Sequence, residues 1–351
     1  MTCPYAPRSF RHFFLVLLDA ALITIPMARL TAYPLPLMEH SDSTHSTAYP
    51  TSSSSPPPLR TVILYPSMLT FGGYPRVTLT GDISITYRSP STWTLTAIGA
   101  AYAGTLIAVH LIQHNAWWKV PGPFQVVEDW NYALQVDKAG HIYGGYLMSY
   151  LGGEFLLAAG MDIRAAATWG ALLGLLYQTY VEVEDGFSRD WGFSPTDAAA
   201  NFIGAYWYLA QHYCRPLQAF QPRWQYIPAR WTGDLPRRHS GTFIDDYNSS
   251  TFWLAIDVYQ LLPAEWQRYY PPWLMVALGY GVRNVDTELP KTRRMMLGID
   301  YNLRLLLPDG PPIWKWLRQS LALLKLPAPA IELGPHPPRL FLLYPFRPRL
   351  R

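Results

Sequence analysis

The sequence predicts a mainly α protein: a four-helix membrane-embedded or membrane-associated bundle, followed by a smaller mixed α/β C-terminal region. Three observations carry this expectation. Charged residues make up 15% of the 351 residues, well under the roughly 25% of ordinary soluble domains. Hydrophobic residues make up 50%, with 14 Trp and 24 Tyr, and amphipathic rings favour the headgroup level of a membrane. Apolar runs of helical length follow one another between residues 93 and 213. A mean hydropathy of +0.01 is nonetheless too low for a chain that is all membrane span.

The chain reads as five segments. In residues 1–30, Arg8 and Arg11 precede an apolar run that starts at Phe13, the pattern of a signal or anchor segment. Residues 31–60 are rich in Ser, Thr and Pro and read as a disordered linker, because they bury too little apolar surface to offset chain entropy. Residues 61–92 hold short strand-like pieces at 76–80 and 83–87, with Gly81-Asp82 as the turn between them.

Residues 93–214 form the expected bundle. The run 93–113 has about the length needed to cross a bilayer. It leaves through Trp117, Trp118 and Lys119, and Pro121-Gly122-Pro123 then breaks any helix. A second helix is expected over 142–161 and a third over 165–181, with Asp162-Ile163-Arg164 as the polar corner between them. A fourth covers 197–213, with Ser194 as its cap and Pro195 at the first helical position. Frequent glycines, Gly145, Gly152, Gly153, Gly170 and Gly174 among them, let helix backbones approach closely. The same runs also fit a helical hairpin buried in a soluble bundle.

Residues 215–351 open with a basic, Pro-rich stretch holding Arg215, Arg223, Arg230, Arg237 and Arg238. By the positive-inside rule this stretch favours the cytoplasmic side, which turns the site described next toward the periplasm. Two strand-like runs, 274–282 and 295–305, predict a β-hairpin. Residues 314–324 predict an amphipathic helix, lying in a membrane interface or packing on the hairpin. Cys3 and Cys214 are the two cysteines; they offer neither metal spacing nor a disulfide framework. The net charge is +4 and no basic run interleaves with aromatics, which argues against nucleic acid.

Chemistry-bearing residues cluster at the helix ends. Asp137 and His141 are four apart, as are Asp197 and Asn201, and Glu182 and Asp185 are three apart, so each pair shares a helix face. A hairpin of helices two and three returns its start and its end to one side, where helix four begins. The three pairs are therefore expected to converge on one end of the bundle. A carboxylate beside a histidine fixes the imidazole tautomer and raises its basicity. Acidic groups around one histidine also suit a divalent metal. Either arrangement supports general acid–base chemistry or metal-assisted hydrolysis. The competing expectation is that Asp137, Asp197 and Asn201 only cap helices and order loops. Ser188 and Ser194 lack any nucleophile-elbow motif. Glu154 lies inside helix two, joining the site or bonding a neighbour, and Lys138 is expected to mark an interface.

The motifs Asp-Lys-Ala-Gly-His at 137–141, Asp-Gly-Phe-Ser at 185–188 and Trp-Gly-Phe-Ser at 191–194, with Asp197, Asn201 and Gly204, resemble the YfiM-like family of predicted periplasmic or envelope lipoproteins. Asp-Asp-Tyr at 245–247 and Gly-Tyr-Gly at 279–281 resemble its longer members, and the likeness covers about residues 115–345. A weaker likeness links the Asp-Lys-x-x-His stretch and the Asp-x-x-x-Asn helix to the VanZ-like membrane family. The resemblance implies a cell-envelope protein. The expected function is binding or processing of a lipid-linked or cell-wall component, with membrane lipid as a partner; the alternative is a non-catalytic structural or assembly factor.

Overall fold

The predicted helices form where the apolar runs lie, and each extends into its polar flanks. In the computed structural model, which describes residues 65–82, 92–238, 242–334 and 337–346, α1 is Thr92–Ala116, α2 is Val136–Ala158, α3 is Ile163–Gly186 and α4 is Pro195–Tyr213. Capping explains the extensions. The Asp162 carboxylate accepts from the Arg164 amide at 3.0 Å, and Ser194 Oγ accepts from the Asp197 amide at 3.1 Å with Pro195 following. The candidate polar residues thus lie inside helix termini rather than in loops.

Helices α2, α3 and α4 pack backbone to backbone. A Cβ added at Gly204 would stand 2.1 Å from the Ile142 carbonyl oxygen, and one at Gly145 2.5 Å from that of Asn201. Only glycine permits these approaches. Tyr146, Tyr150, Ala171 and Tyr208 form the core between them, joined by Phe71 and Leu323. Helix α1 stands apart and is exposed along its apolar length. It touches the others through Tyr102 against Phe155 and through Gln113, which accepts from Tyr177 Oη at 3.4 Å.

The four-helix expectation is corrected accordingly: the packed core is three helices, with a fourth leaning on it. Among the described residues, α1 alone is long and apolar enough to cross a membrane. The membrane-embedded bundle finds no support from α2, α3 and α4, whose runs are interrupted by Asp137, Lys138, His141, Glu154, Glu182 and Asp185.

The C-terminal region is larger and more regular than expected. Strands β1 (Phe220–Tyr226), β2 (Ser250–Ile256), β3 (Leu274–Arg283), β4 (Thr292–Tyr301), β5 (Ala330–Leu333) and β6 (Arg339–Phe341) form one antiparallel sheet in sequence order. The predicted hairpin is β3–β4, with Leu278 opposite Leu297. One face buries Trp253, Ala277, Met296, Ala330, Phe341 and Tyr344. The other receives α2: Val136 and Ala133 pack with Val282 and Val285, next to Phe252 and Tyr280.

The amphipathic helix, α5 (Pro312–Ser320), packs on residues 77–82 and on α2 and not on the hairpin. Gln319 bonds Val77 through both its amide atoms, at 3.0 and 3.1 Å, and Trp316 Nε1 donates to Glu154 at 2.8 Å. Residues 77–78 pair with 81–82, so Gly81-Asp82 is a strand partner and not the expected turn. Residues 83–87, the signal or anchor segment 1–30 and the linker 31–60 lie outside the described residues.

Of the five arginines behind the orientation expectation, Arg223 is buried in the sheet on Asp300 at 3.1 Å, Arg237 pairs with Asp245 at 2.8 Å and Arg238 pairs at the surface with Glu288 at 2.6 Å, while Arg215 and Arg230 are exposed.

Candidate functional site

Helix α2 begins under constraint. Ala133, Leu134 and Gln135 precede it with φ of 44°, 55° and 66°, a left-handed turn that L residues adopt at a cost of about 1–2 kcal/mol each. Tyr280 Oη donates to the Leu134 carbonyl, and Arg293 donates to Gln135 Oε1 at 2.7 Å, so the sheet holds this turn. The turn brings Asp129 back beside the first residues of α2. Such strain is characteristic of functional sites.

Five of the six predicted residues meet here. His141 Nδ1 lies 3.1 Å from Asn201 Oδ1, which also accepts from Gln178 Nε2 at 2.9 Å. An amide oxygen only accepts, so Nδ1 carries a proton. Glu182 Oε1 is 3.4 Å from the same nitrogen. On the other side of the ring, Nε2 lies 3.6 Å from both Asp137 Oδ1 and Asp197 Oδ1. Glu182 Oε2 accepts from the Ser194 amide at 3.3 Å. Asp185, the sixth, lies one turn further along α3, accepts from the buried Trp118 Nε1 at 2.6 Å and is close enough for the charges of His141 and Asp137 to act on it.

Lys138 belongs to the site, against the expectation of an interface marker. Its ammonium contacts Asp129 and Asp197 at 2.7 Å each and Asp137 at 2.9 Å. The long side chain curls back along α2, so helix direction alone misassigns it. Asp129 and Tyr247, the latter donating to Asp137 Oδ1, were also missed. Both come from outside the helices, where spacing gives no signal. The serines have structural tasks: Ser194 Oγ caps α4 and donates to Asp129, while Ser188 Oγ donates to the Trp117 carbonyl at 3.4 Å. Glu154 does not join the site.

Burial and crowding of like charge set the protonation states. Burial alone would lower the His141 pKa, but Asp137, Asp197 and Glu182 outweigh it and raise the value to about 9. Burial raises Glu182 to about 8, against the pull of His141. Burial raises Asp185 to about 7, and it raises Asp197 as well. Burial would lower Lys138, but Asp137, Asp129 and Asp197 more than offset this. The neighbouring carboxylates thus favour the charged form of the imidazole, while burial opposes ionisation of Glu182, Asp185 and Asp197. The His141 side chain keeps 20% of its surface exposed, while Glu182 keeps 1%. The imidazole and the Asp129 carboxylate, 25% exposed, are the parts of the cluster that reach the surface.

Asp137, His141 and Asp197 offer ligand atoms that all lie within 4.8 Å of one another, a grouping able to hold a cation. The Lys138 ammonium already contacts two of the three. Like-charge repulsion therefore opposes a divalent ion while Lys138 stays in place.

No curated protein and no solved structure matches the chain. A family model does match, over residues 127–211, and it spans Asp129, Asp137, Lys138, His141, Glu182, Asp185, Asp197 and Asn201. The match does not extend to the YfiM-like name or to the VanZ-like likeness. Over its bundle end, the chain is similar to the family described as predicted periplasmic lipoprotein (DUF2279), which is consistent with an uncharacterised protein of the cell envelope.

Proposed function

We propose that this is an envelope protein that binds a lipid-linked or cell-wall component at the bundle end and acts on it by general acid–base chemistry. The observation that supports this is the setting of His141. Its Nδ1 is fixed by Asn201 at 3.1 Å. Its Nε2 faces two carboxylates at 3.6 Å, too far for a direct hydrogen bond. The imidazole can thus pass the Nε2 proton to a bound group and recover it from a neighbouring carboxyl group. The flanking Asp137 and Asp197 stabilise its charged form. The excess of carboxylates favours a substrate carrying positive charge or many donors.

A second reading rests on Lys138, which ties Asp129, Asp137 and Asp197 together. Together with Tyr247 on Asp137 and Trp118 on Asp185, it makes the cluster a knot joining helices, loop and C-terminal region. On that reading the protein is a non-catalytic assembly factor. His141→Gln separates the two. Complementation of a strain lacking the protein is expected to fail while the melting temperature stays within a few degrees of wild type. Loss of function together with loss of the fold supports the knot.

A further inference from the structure

Helix α1 has 25 residues without Asp, Glu, Lys or Arg, about 37 Å at 1.5 Å per residue, against a hydrocarbon core of about 30 Å. No part of its apolar window is buried. Trp93, near its start, is 80% exposed, and the half-buried Trp117 and the exposed Lys119 follow its end, as at the two faces of a bilayer. The outgoing end alone is locked to the site. Gln113 meets Tyr177, and the Trp118 indole donates to Asp185 at 2.6 Å, one turn beyond Glu182.

The loop that follows carries Asp129 into the site and pairs along residues 186–193. The Gly122 amide donates to the Phe187 carbonyl at 2.7 Å, Gln125 to Gly186 at 2.9 Å and Val127 to Phe193 at 2.9 Å. Its outward side is apolar: Val120, Phe124, Val126 and Trp130 are exposed, with Phe187 beside them. Lys119 and Arg189 are exposed among them, and so are Glu128 and Asp190, so the exposed charges of the rim balance. An apolar rim with a few charged side chains at its edge suits the headgroup layer of a membrane.

We propose that α1 spans the bilayer and seats the His141 site in the headgroup layer, with residues 117–131 and 186–193 as the interfacial rim. Resting on the acid–base reading above, this names the substrate class: a lipid-borne molecule whose polar head enters at His141 while its chains stay in the membrane beside α1. Because the site hangs from the end of α1 through Trp118, its depth is fixed by the helix and does not depend on diffusion from solution.

Depth measurement tests this in the full chain. In a Cys3→Ser/Cys214→Ser background, spin labels are attached at Ile107→Cys, Val126→Cys or Leu289→Cys, each in vesicles of phosphatidylethanolamine and phosphatidylglycerol. Relaxation by oxygen is then compared with relaxation by a water-soluble nickel chelate. Oxygen is expected to exceed nickel several-fold at Ile107, to balance it near Val126, and to fall several-fold below it at Leu289. An Ile107 label that behaves like Leu289 overturns the proposal, because α1 is then in water. An Ile107 label shielded from both agents and broadened by a second spin also overturns it, because α1 then packs on another copy. Leu111→Cys repeats the measurement if Ile107→Cys does not fold. None of these readouts involves activity. The depth profile can fail while His141→Gln still abolishes complementation, and that outcome removes the membrane seat but leaves the acid–base reading intact.

Discussion

Helix α2 buries charge at both of its ends, and the two ends are built on opposite terms. Near its C-terminus, Glu154 is paired with Arg76, with side chains 1% and 0% exposed. Trp316 donates to the second Glu154 oxygen at 2.8 Å, and Arg76 Nη1 lies 2.7 Å from His212 Nε2. His212 Nδ1 lies 2.9 Å from the Tyr208 carbonyl, which only accepts, so Nε2 is the acceptor for Arg76. One cation, one anion and one neutral imidazole balance. At the N-terminal end, four carboxylates, Asp129, Asp137, Glu182 and Asp197, surround one ammonium and one imidazole, and the imidazole side chain is 20% exposed. The two histidines titrate in opposite directions: burial and Arg76 push His212 down to about 3, while His141 is held up at about 9. A sealed, balanced pair fastens a fold. An unbalanced, partly exposed cluster leaves negative charge that its own cations do not offset.

The largest expected effect breaks the balanced end. Arg76→Met leaves Glu154 buried without its cation, a loss of about 3–5 kcal/mol by the usual penalty for half a buried pair. Urea unfolding measures it. Adding Glu154→Gln is expected to recover part of the loss, since no charge then remains to bury. A loss below about 1 kcal/mol for the single variant would show that the pair fastens nothing.

A smaller effect is expected at the other end. Lys138→Met removes the ammonium from Asp129, Asp137 and Asp197, at a cost of about 2–3 kcal/mol, less than for Arg76 because Asp129 is 25% exposed and the carboxylates can take up protons. Unfolding curves at pH 5 and pH 8 should therefore differ, with the variant closer to wild type in acid. Equal deficits at both values would mean that Lys138 acts through packing and not through charge.

Much of this contrast was legible in the sequence, and the part that was not has physical causes. The helix starts could be read from Ser194 and Pro195, because capping is local chemistry. The meeting of Asp137, His141, Glu182, Asp197 and Asn201 followed from connectivity, since a helical hairpin must return to its origin. Asp129 was hidden because three consecutive left-handed residues, none of them glycine, bring it there. The partner of Glu154 was hidden because Arg76 lies 78 positions away. Strand β1 was hidden because it carries buried Gln221, Arg223 and Gln225, so its inward side does not read as apolar. Tertiary ion pairs replaced the alternation that normally announces a strand.

The smallest effect tests the contrast most directly, through pH. The folded value for His141 lies above the unfolded 6.5. Its stabilisation is therefore complete below pH 6.5 and is lost as pH rises toward about 9. Glu182 and Asp185 act in the same sense: their values are raised from 4.5 to about 8 and from 3.8 to about 7, so the fold weakens as pH climbs through those windows. His212 has the opposite sign. Its folded value lies below 6.5, so its contribution is complete above pH 6.5 and is lost as pH falls toward about 3. Melting temperature against pH should thus have an alkaline limb drawn by the site and an acid limb to which His212 contributes. His141→Gln is expected to flatten the first by a few degrees between pH 7 and 9 and to leave the second unchanged. His212→Gln should do the converse between pH 4 and 6, because Gln can still accept from Arg76. If one substitution moved both limbs alike, the two ends of α2 would form a single electrostatic unit. The excess charge at His141 could then not be separated from the scaffold that carries it.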